Sequence, residues 1–126
     1  MILADTNVII DFWKSPTERM RNIFIEEDVA ICGIVKAELI HGARSSNEID
    51  RIVSALDDFY FLEIDNSDWI YIGRLLNRLK TLGVTVPFQD AVLAYLSIKN
   101  KAPIWTLDKH FGKISEVMSE LKIYSF

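Results

Sequence analysis

Four carboxylates stand where chemistry would need them. Asp5 follows the apolar run Ile2-Leu3-Ala4. Glu38 lies inside the helical stretch Gly33 to Arg44. Asp90 comes three residues after Pro87, at the head of an apolar helix, and Asp108 follows Pro103-Ile104-Trp105-Thr106-Leu107. Each also has an ordinary explanation. Asp5 before Thr6-Asn7 is a routine helix cap, worth about 1 kcal/mol. Asp108 is common turn chemistry, and Asp90 suits a helix dipole. Glu38 falls between Ile34 and Val35 on the helical wheel, where an apolar residue is expected, so a carboxylate there needs a partner such as Arg44 or Lys36, or a cation, or else an exposed helix edge.

Taken together the four say more. Carboxylates crowded within a few Å raise one another's pKa and repel unless a divalent cation neutralises them. Mg²⁺ and Mn²⁺ favour carboxylate and water oxygens. Such a set suits phosphodiester hydrolysis, in which one cation activates a water and another steadies the leaving oxygen. Cys32, His41 and His110 lack zinc spacing, and the chain has no phosphate loop, GxSxG elbow or local Cys/His nucleophile signature.

The elements that must position these acids alternate along the chain. Short apolar runs at 2–4, 29–32, 60–64 and 103–107 read as strands, with a further one at 122–126. Between them lie helical segments: Val8 to Lys14, a helix opened by the capping box Ser15-Pro16-Thr17-Glu18, Gly33 to Arg44, and one from Ser45 to about Asp58. A long amphipathic helix follows Asn66-Ser67-Asp68, with Trp69, Ile72, Leu76 and Leu79 on one face, and ends at Gly83. Phe88 to Asn100 is apolar on nearly every side and should be central. Continuous rather than alternating apolar strands argue a buried parallel sheet. The pattern predicts a three-layer α/β/α sandwich around a central, mainly parallel sheet of four to five strands. Asp5 and Asp108 would share one crevice beyond the strands' carboxyl ends if their strands are neighbours.

At 126 residues, with 50% apolar content and no composition shift or repeat, the chain reads as a single domain over 1–126. One cysteine excludes an intrachain disulfide, and the longest apolar run, Ala91 to Leu96, is far short of the ~20 residues a membrane helix needs. The start Met-Ile-Leu-Ala-Asp has no basic region before its first carboxylate, so no signal peptide is expected, and the expected location is cytoplasmic. Fourteen bases against eighteen acids give a net charge of −4. If four acids bind cations, fourteen balance fourteen, so the total neither supports nor excludes a nucleic-acid partner.

The segments LADTNVII (Leu3 to Ile10), VKAELIHGAR (Val35 to Arg44), PFQDAVLAYLS (Pro87 to Ser97) and TLDKHF (Thr106 to Phe111) stand in that order along the chain. In them the sequence resembles the PIN-domain nucleases and, among these, the compact VapC-type toxins of bacterial and archaeal toxin–antitoxin pairs. The resemblance implies that Asp5, Glu38, Asp90 and Asp108 surround Mg²⁺ or Mn²⁺, with Asp5 and Asp90 the chief ligands. It implies that Thr6, Asn7 and Thr106 hydrogen-bond those carboxylates and orient them. It further implies cleavage of single-stranded or loop RNA, a homodimer, and a protein antitoxin through which alone the pair reaches DNA. Tyr95 and Leu96 depart from the small residues usual after Asp90, and Gln89 from the usual residue before it.

Arg44 could contact substrate phosphate, as could Phe12-Trp13-Lys14 by stacking and charge. Trp13, Trp69 and Trp105 read as core or dimer interface rather than substrate contacts, and His41 as a solvated helix residue rather than a general acid. Three other readings remain open: a PIN-fold RNA-processing nuclease outside a toxin–antitoxin pair, a phosphoacceptor receiver-like domain, and a non-catalytic interaction module. A receiver would want an acidic pair after the first strand and a late lysine; here Thr6-Asn7 follow Asp5.

Overall fold

The computed structural model describes residues 1–125. Strands β1 (Ile2–Ala4), β2 (Val29–Cys32), β3 (Tyr60–Leu62) and β4 (Ile104–Trp105) form one parallel sheet in the order β3-β2-β1-β4. Around it lie α1 (Thr6–Lys14), α2 (Glu18–Glu26), α3 (Gly33–His41), α4 (Ser46–Leu56), α5 (Asp68–Thr81), α6 (Phe88–Asn100) and α7 (His110–Val117). Successive residues of a strand point to opposite faces. Every residue of β1, β2 and β4 is buried, so helices must cover both faces, which makes the three-layer sandwich. Each fully buried Leu or Ile contributes about 1.5–3 kcal/mol relative to exposure.

The strand order decides where a ligand can go. β1 pairs with β2 on one side and with β4 on the other, Leu3 opposite Ile104 and Ala4 opposite Trp105. The chain leaves β1 in both directions across the sheet, and a crevice opens at that switch, beyond the carboxyl ends. The adjacency that would bring Asp5 and Asp108 together is therefore present.

Several elements differ in extent from expectation. Thr17, not Ser15, caps α2: its hydroxyl accepts from the Met20 N–H at 3.1 Å, which starts the helix there and leaves Pro16 outside it. α3 stops at His41, because Gly42 is a poor helix former and Ser45 caps α4 by accepting from the Glu48 N–H. β3 and β4 are shorter than the apolar runs that contain them. The fifth strand is reduced to a parallel bridge between Ile123 and Ile104, and Phe126 lies outside the described residues. Gly83 ends α5 as expected, at φ +79°, a backbone region open chiefly to glycine. Helix α7, after the Asp108 turn, was not expected; it buries Phe111 and Ile114 from a run too short to show a clear period.

The central helix α6 runs from Phe88 to Asn100 and buries Ala91, Val92, Leu93, Ala94, Leu96 and Ser97. A polar clamp joins it to α5. The buried stripe of α5 is Asp68, Ile72, Leu75 and Leu79, with Trp69 turned outward against Phe88. Asp68 is only 3% exposed. It accepts from Lys99 Nζ at 2.8 and 3.0 Å, from the Tyr95 hydroxyl at 2.6 Å and from the Asp65 N–H at 2.7 Å. Tyr95, one of the departures from the family pattern, thus has a structural task. The Lys99 ammonium, then Tyr95 and the Asp65 amide, hold the Asp68 carboxyl down at about 2.

A depressed carboxyl pKa adds stability above the unfolded value, lost as pH falls through the folded one. Asp68→Asn should therefore lower Tm at pH 7, and its gap to wild type should close between about pH 4 and pH 2; thermal melts across that range check it.

Candidate active site

Asp5 is the first residue beyond β1, and its N–H donates to the Trp105 carbonyl of β4 at 2.9 Å. Two strands thus fix its backbone. Its side chain caps α1, Oδ1 accepting from the Thr6 N–H at 2.8 Å. The other oxygen, Oδ2, accepts from the Thr106 hydroxyl at 2.7 Å. That hydroxyl in turn accepts from the Asp108 N–H at 2.9 Å. One threonine therefore orients Asp5 and shapes the loop that carries Asp108.

The remaining acids arrive from three elements. Glu38 comes from the middle of α3, and its Oε1 accepts from the Thr6 hydroxyl at 3.1 Å. It is exposed, so the helix edge rather than the buried stripe is where it stands. α3 lies over the carboxyl end of β2 and presents this turn to the crevice rather than to the core. Neither Arg44 nor Lys36 pairs with it among the described residues; Lys36 lies over the Phe61 ring instead. Asp90 stands in the first turn of α6, its side chain 13% exposed. Asp108 precedes α7 and accepts from the His110 N–H at 2.9 Å.

His110 is the residue that motif and spacing arguments passed over. Its Nδ1 lies 2.8 Å from Asp90 Oδ2 and 3.3 Å from Asp108 Oδ1. The only signal in the chain is the pair Asp108-x-His110, which is ambiguous without knowing that α6 packs alongside. Asn7 also differs from expectation. Its Oδ1 accepts from the Leu107 N–H at 3.1 Å, so it anchors the loop after β4 rather than a carboxylate.

The acids influence one another in sequence. Burial pushes the Asp5 carboxyl above its ordinary range against the bonds from Thr106 and Thr6, and the charges of Asp90 and Glu38 push the same way. Burial raises Asp90 too; His110 opposes this and Asp108 adds to it. Among the described residues no Lys or Arg pairs with Asp5, Glu38, Asp90 or Asp108. Hard oxygen donors, raised carboxyl pKa values and the lack of a fixed ammonium or guanidinium all fit a divalent cation. Ligand atoms of Asp90, Asp108 and His110 lie within 4.8 Å of one another, close enough for a single ion. The acid pair a receiver needs after β1 is absent: Asp5 is followed by Thr6 and Asn7, and Glu38 comes from a helix.

Beside Glu38 a groove of about 370 Å³ runs between α1 and the α3–α4 region, lined by Trp13, Lys14, Arg44 and Glu48 among others. Lys14 and Arg44 make no ion pair there among the described residues. Trp13 and Trp69 are partly open to solvent, whereas Trp105 is buried core.

Residues 2–117 match the PIN domain family. Ribonuclease VapC1 of Methanocaldococcus jannaschii is 30% identical over 125 residues, which take in 98% of this chain and 86% of that one. The fold is similar to that of VapBC2 from Rickettsia felis bound to a DNA fragment from its promoter, with TM-score 0.81, 19% identity, and 100% and 99% of the two chains covered. It is also similar to VapBC-1 from nontypeable Haemophilus influenzae, with TM-score 0.81, 21% identity, and 99% and 98% covered.

A carboxyl whose folded pKa is raised adds stability below its unfolded value and loses it as pH rises through the folded one. In chelator, the Asp5 carboxyl should therefore contribute a loss of stability on going from acid to neutral pH, starting near the ordinary Asp value of 3.8. Asp5→Asn should flatten that slope and be at least as stable as wild type at pH 7, read as an equal or higher Tm. Denaturant unfolding in EDTA at pH 4 and pH 7 checks both.

Proposed function

Since the chain belongs to the PIN domain family, we propose that it is a metal-dependent endoribonuclease that hydrolyses phosphodiester bonds of single-stranded or loop RNA. The observation that carries this reading is the meeting of four carboxylates from β1, α3, α6 and the loop after β4 at one edge of a parallel sheet, with no Lys or Arg paired to them among the described residues. The likeness to Ribonuclease VapC1 supports RNA as the substrate. The names of the VapBC relatives support a place as toxin in a toxin–antitoxin pair, with a protein antitoxin as partner and DNA reached only through that complex. On this reading the protein is a single domain, works in the cytoplasm and acts as a homodimer.

In this reading Asp5, Glu38, Asp90 and Asp108 hold Mg²⁺ or Mn²⁺. When bound, such a cation lowers the pKa of an attacking water and offsets charge on the leaving oxygen. The chain's own contribution is placement. The Thr6 amide and the Thr106 hydroxyl fix both oxygens of Asp5, so its direction is set before any substrate arrives. The Thr6 hydroxyl holds the longer Glu38 side chain toward the same crevice. Asp90 sits at the start of α6, where the helix dipole offsets part of the cost of keeping it ionised.

Arg44 and Lys14 supply positive charge in the groove beside Glu38, where RNA flanking the cut would run, and the exposed Trp13 ring offers a stacking surface.

Purified protein in Mg²⁺ or Mn²⁺ should cleave structured RNA at unpaired positions, and EDTA should stop it. Asp5→Asn and Asp90→Asn should lower cleavage at least about 10³-fold while the protein stays folded. Glu38→Gln should lose activity with little change in Tm, because its side chain is exposed and makes one modest bond. Folded variants that cleave as wild type does would refute the reading. Arg44→Ala should weaken RNA binding about tenfold and reduce the salt dependence by about one phosphate contact, measured by filter binding of an Asp5→Asn background across salt concentrations.

A further inference from the structure

The four-acid site has a fifth donor. His110 opens α7 directly after the Asp108 turn, and its backbone N–H donates to Asp108 Oδ1 at 2.9 Å, which fixes where the ring starts. The ring's Nδ1 then lies 2.8 Å from Asp90 Oδ2 and 3.3 Å from Asp108 Oδ1. Neighbouring donors on an octahedral ion with bonds of about 2.1 Å are about 3.0 Å apart. The two separations bracket that value. Asp90 comes from the first turn of α6 and Asp108 and His110 from one turn after β4, so tertiary packing sets the Asp90–His110 spacing and the local turn sets the Asp108–His110 spacing.

We propose that His110 Nδ1 is a ligand of the divalent cation, beside Asp90 and Asp108, and that this nitrogen biases the site toward Mn²⁺ over Mg²⁺. The proposal rests on the metal-dependent reading above and adds a donor to it. Mg²⁺ takes oxygen ligands almost exclusively, whereas first-row transition ions accept imidazole readily, Mn²⁺ being the hardest of them. A nitrogen among oxygens thus costs a Mg²⁺ complex and suits a Mn²⁺ one. The ring is 42% exposed, so turning it toward a cation does not disturb the core. Phe111, the next residue, is fully buried and anchors that end of α7.

The test uses the full chain with Mn²⁺ alone, no RNA. Pulsed electron paramagnetic resonance of the bound Mn²⁺ should show coupling to one imidazole nitrogen, which changes on labelling the histidines with ¹⁵N. The coupling should vanish in His110→Ala. In the same variant Mn²⁺ affinity should fall about tenfold and Mg²⁺ affinity by less than about threefold, read by titration calorimetry. Mn²⁺ bound by wild type without nitrogen coupling overturns the proposal and leaves the acidic site standing. Coupling that persists in His110→Ala does the same, because the nitrogen is then that of His41, one turn from Glu38. Mn²⁺ binding no tighter to wild type than to Asp5→Asn and Asp90→Asn overturns both this proposal and the metal-dependent reading.

Discussion

Among the described residues, negative charge at this sheet edge is held together without a lysine or arginine beside it, only the His110 ring facing Asp90 and Asp108, and that constraint governs the architecture. Asp5 is 7% exposed and feels the charges of Asp90 and Glu38, while Asp90 feels that of Asp108. In a medium less polar than water such groups either protonate, separate or acquire a cation. The chain blocks separation by tying Asp5 to Thr6 and Thr106 and by rooting Asp90 in a helix buried on most sides. The strain of like charges is thereby kept in the folded state instead of being relaxed by side-chain rotation.

The rest of the molecule is arranged to maintain that crowding. β1 lies between β2 and β4, so the chain segments following β1 and β4 meet at one crevice, with α3 entering from the end of β2. α6 brings Asp90, and its other end is pinned to α5 through Lys99, Tyr95 and the buried Asp68. This second acid cluster follows the opposite rule from the first. Asp68 has an ammonium beside it and its carboxyl pKa falls, whereas Asp5 and Asp90 have none and theirs rise. The contrast separates an acid that stabilises the fold from acids that the fold holds against their preference.

Thr106 connects the two halves of the site. Its hydroxyl donates to Asp5 and accepts from the Asp108 amide, so a single side chain sets one carboxylate's direction and the other's loop. Asn7 adds a second tie from α1 to the same loop through the Leu107 amide. The acids therefore sit on a frame of short polar bonds at a strand edge, which is stiffer than a loop-borne site.

Much of this was legible in the residues themselves. The alternation of apolar runs with 3.6-period segments predicts the parallel α/β sandwich, and Pro87 with the apolar run after it predicts α6 over the observed Phe88–Asn100. The four acids are singled out by type and by position after strands or within apolar helices. These features are local, because capping, helical period and strand propensity depend on neighbours a few residues away. The helix α7, the outward turn of Trp69 and the placing of His110 against Asp90 were not legible, and the exposure of Glu38 was only one of two readings. Thr106 reaches Asp5 across 101 positions and His110 reaches Asp90 across 20. The sequence by itself determined which elements form and which residues carry charge. Only the tertiary structure decided which charges face one another, because that follows from strand order and helix docking, whose contacts join residues far apart along the chain.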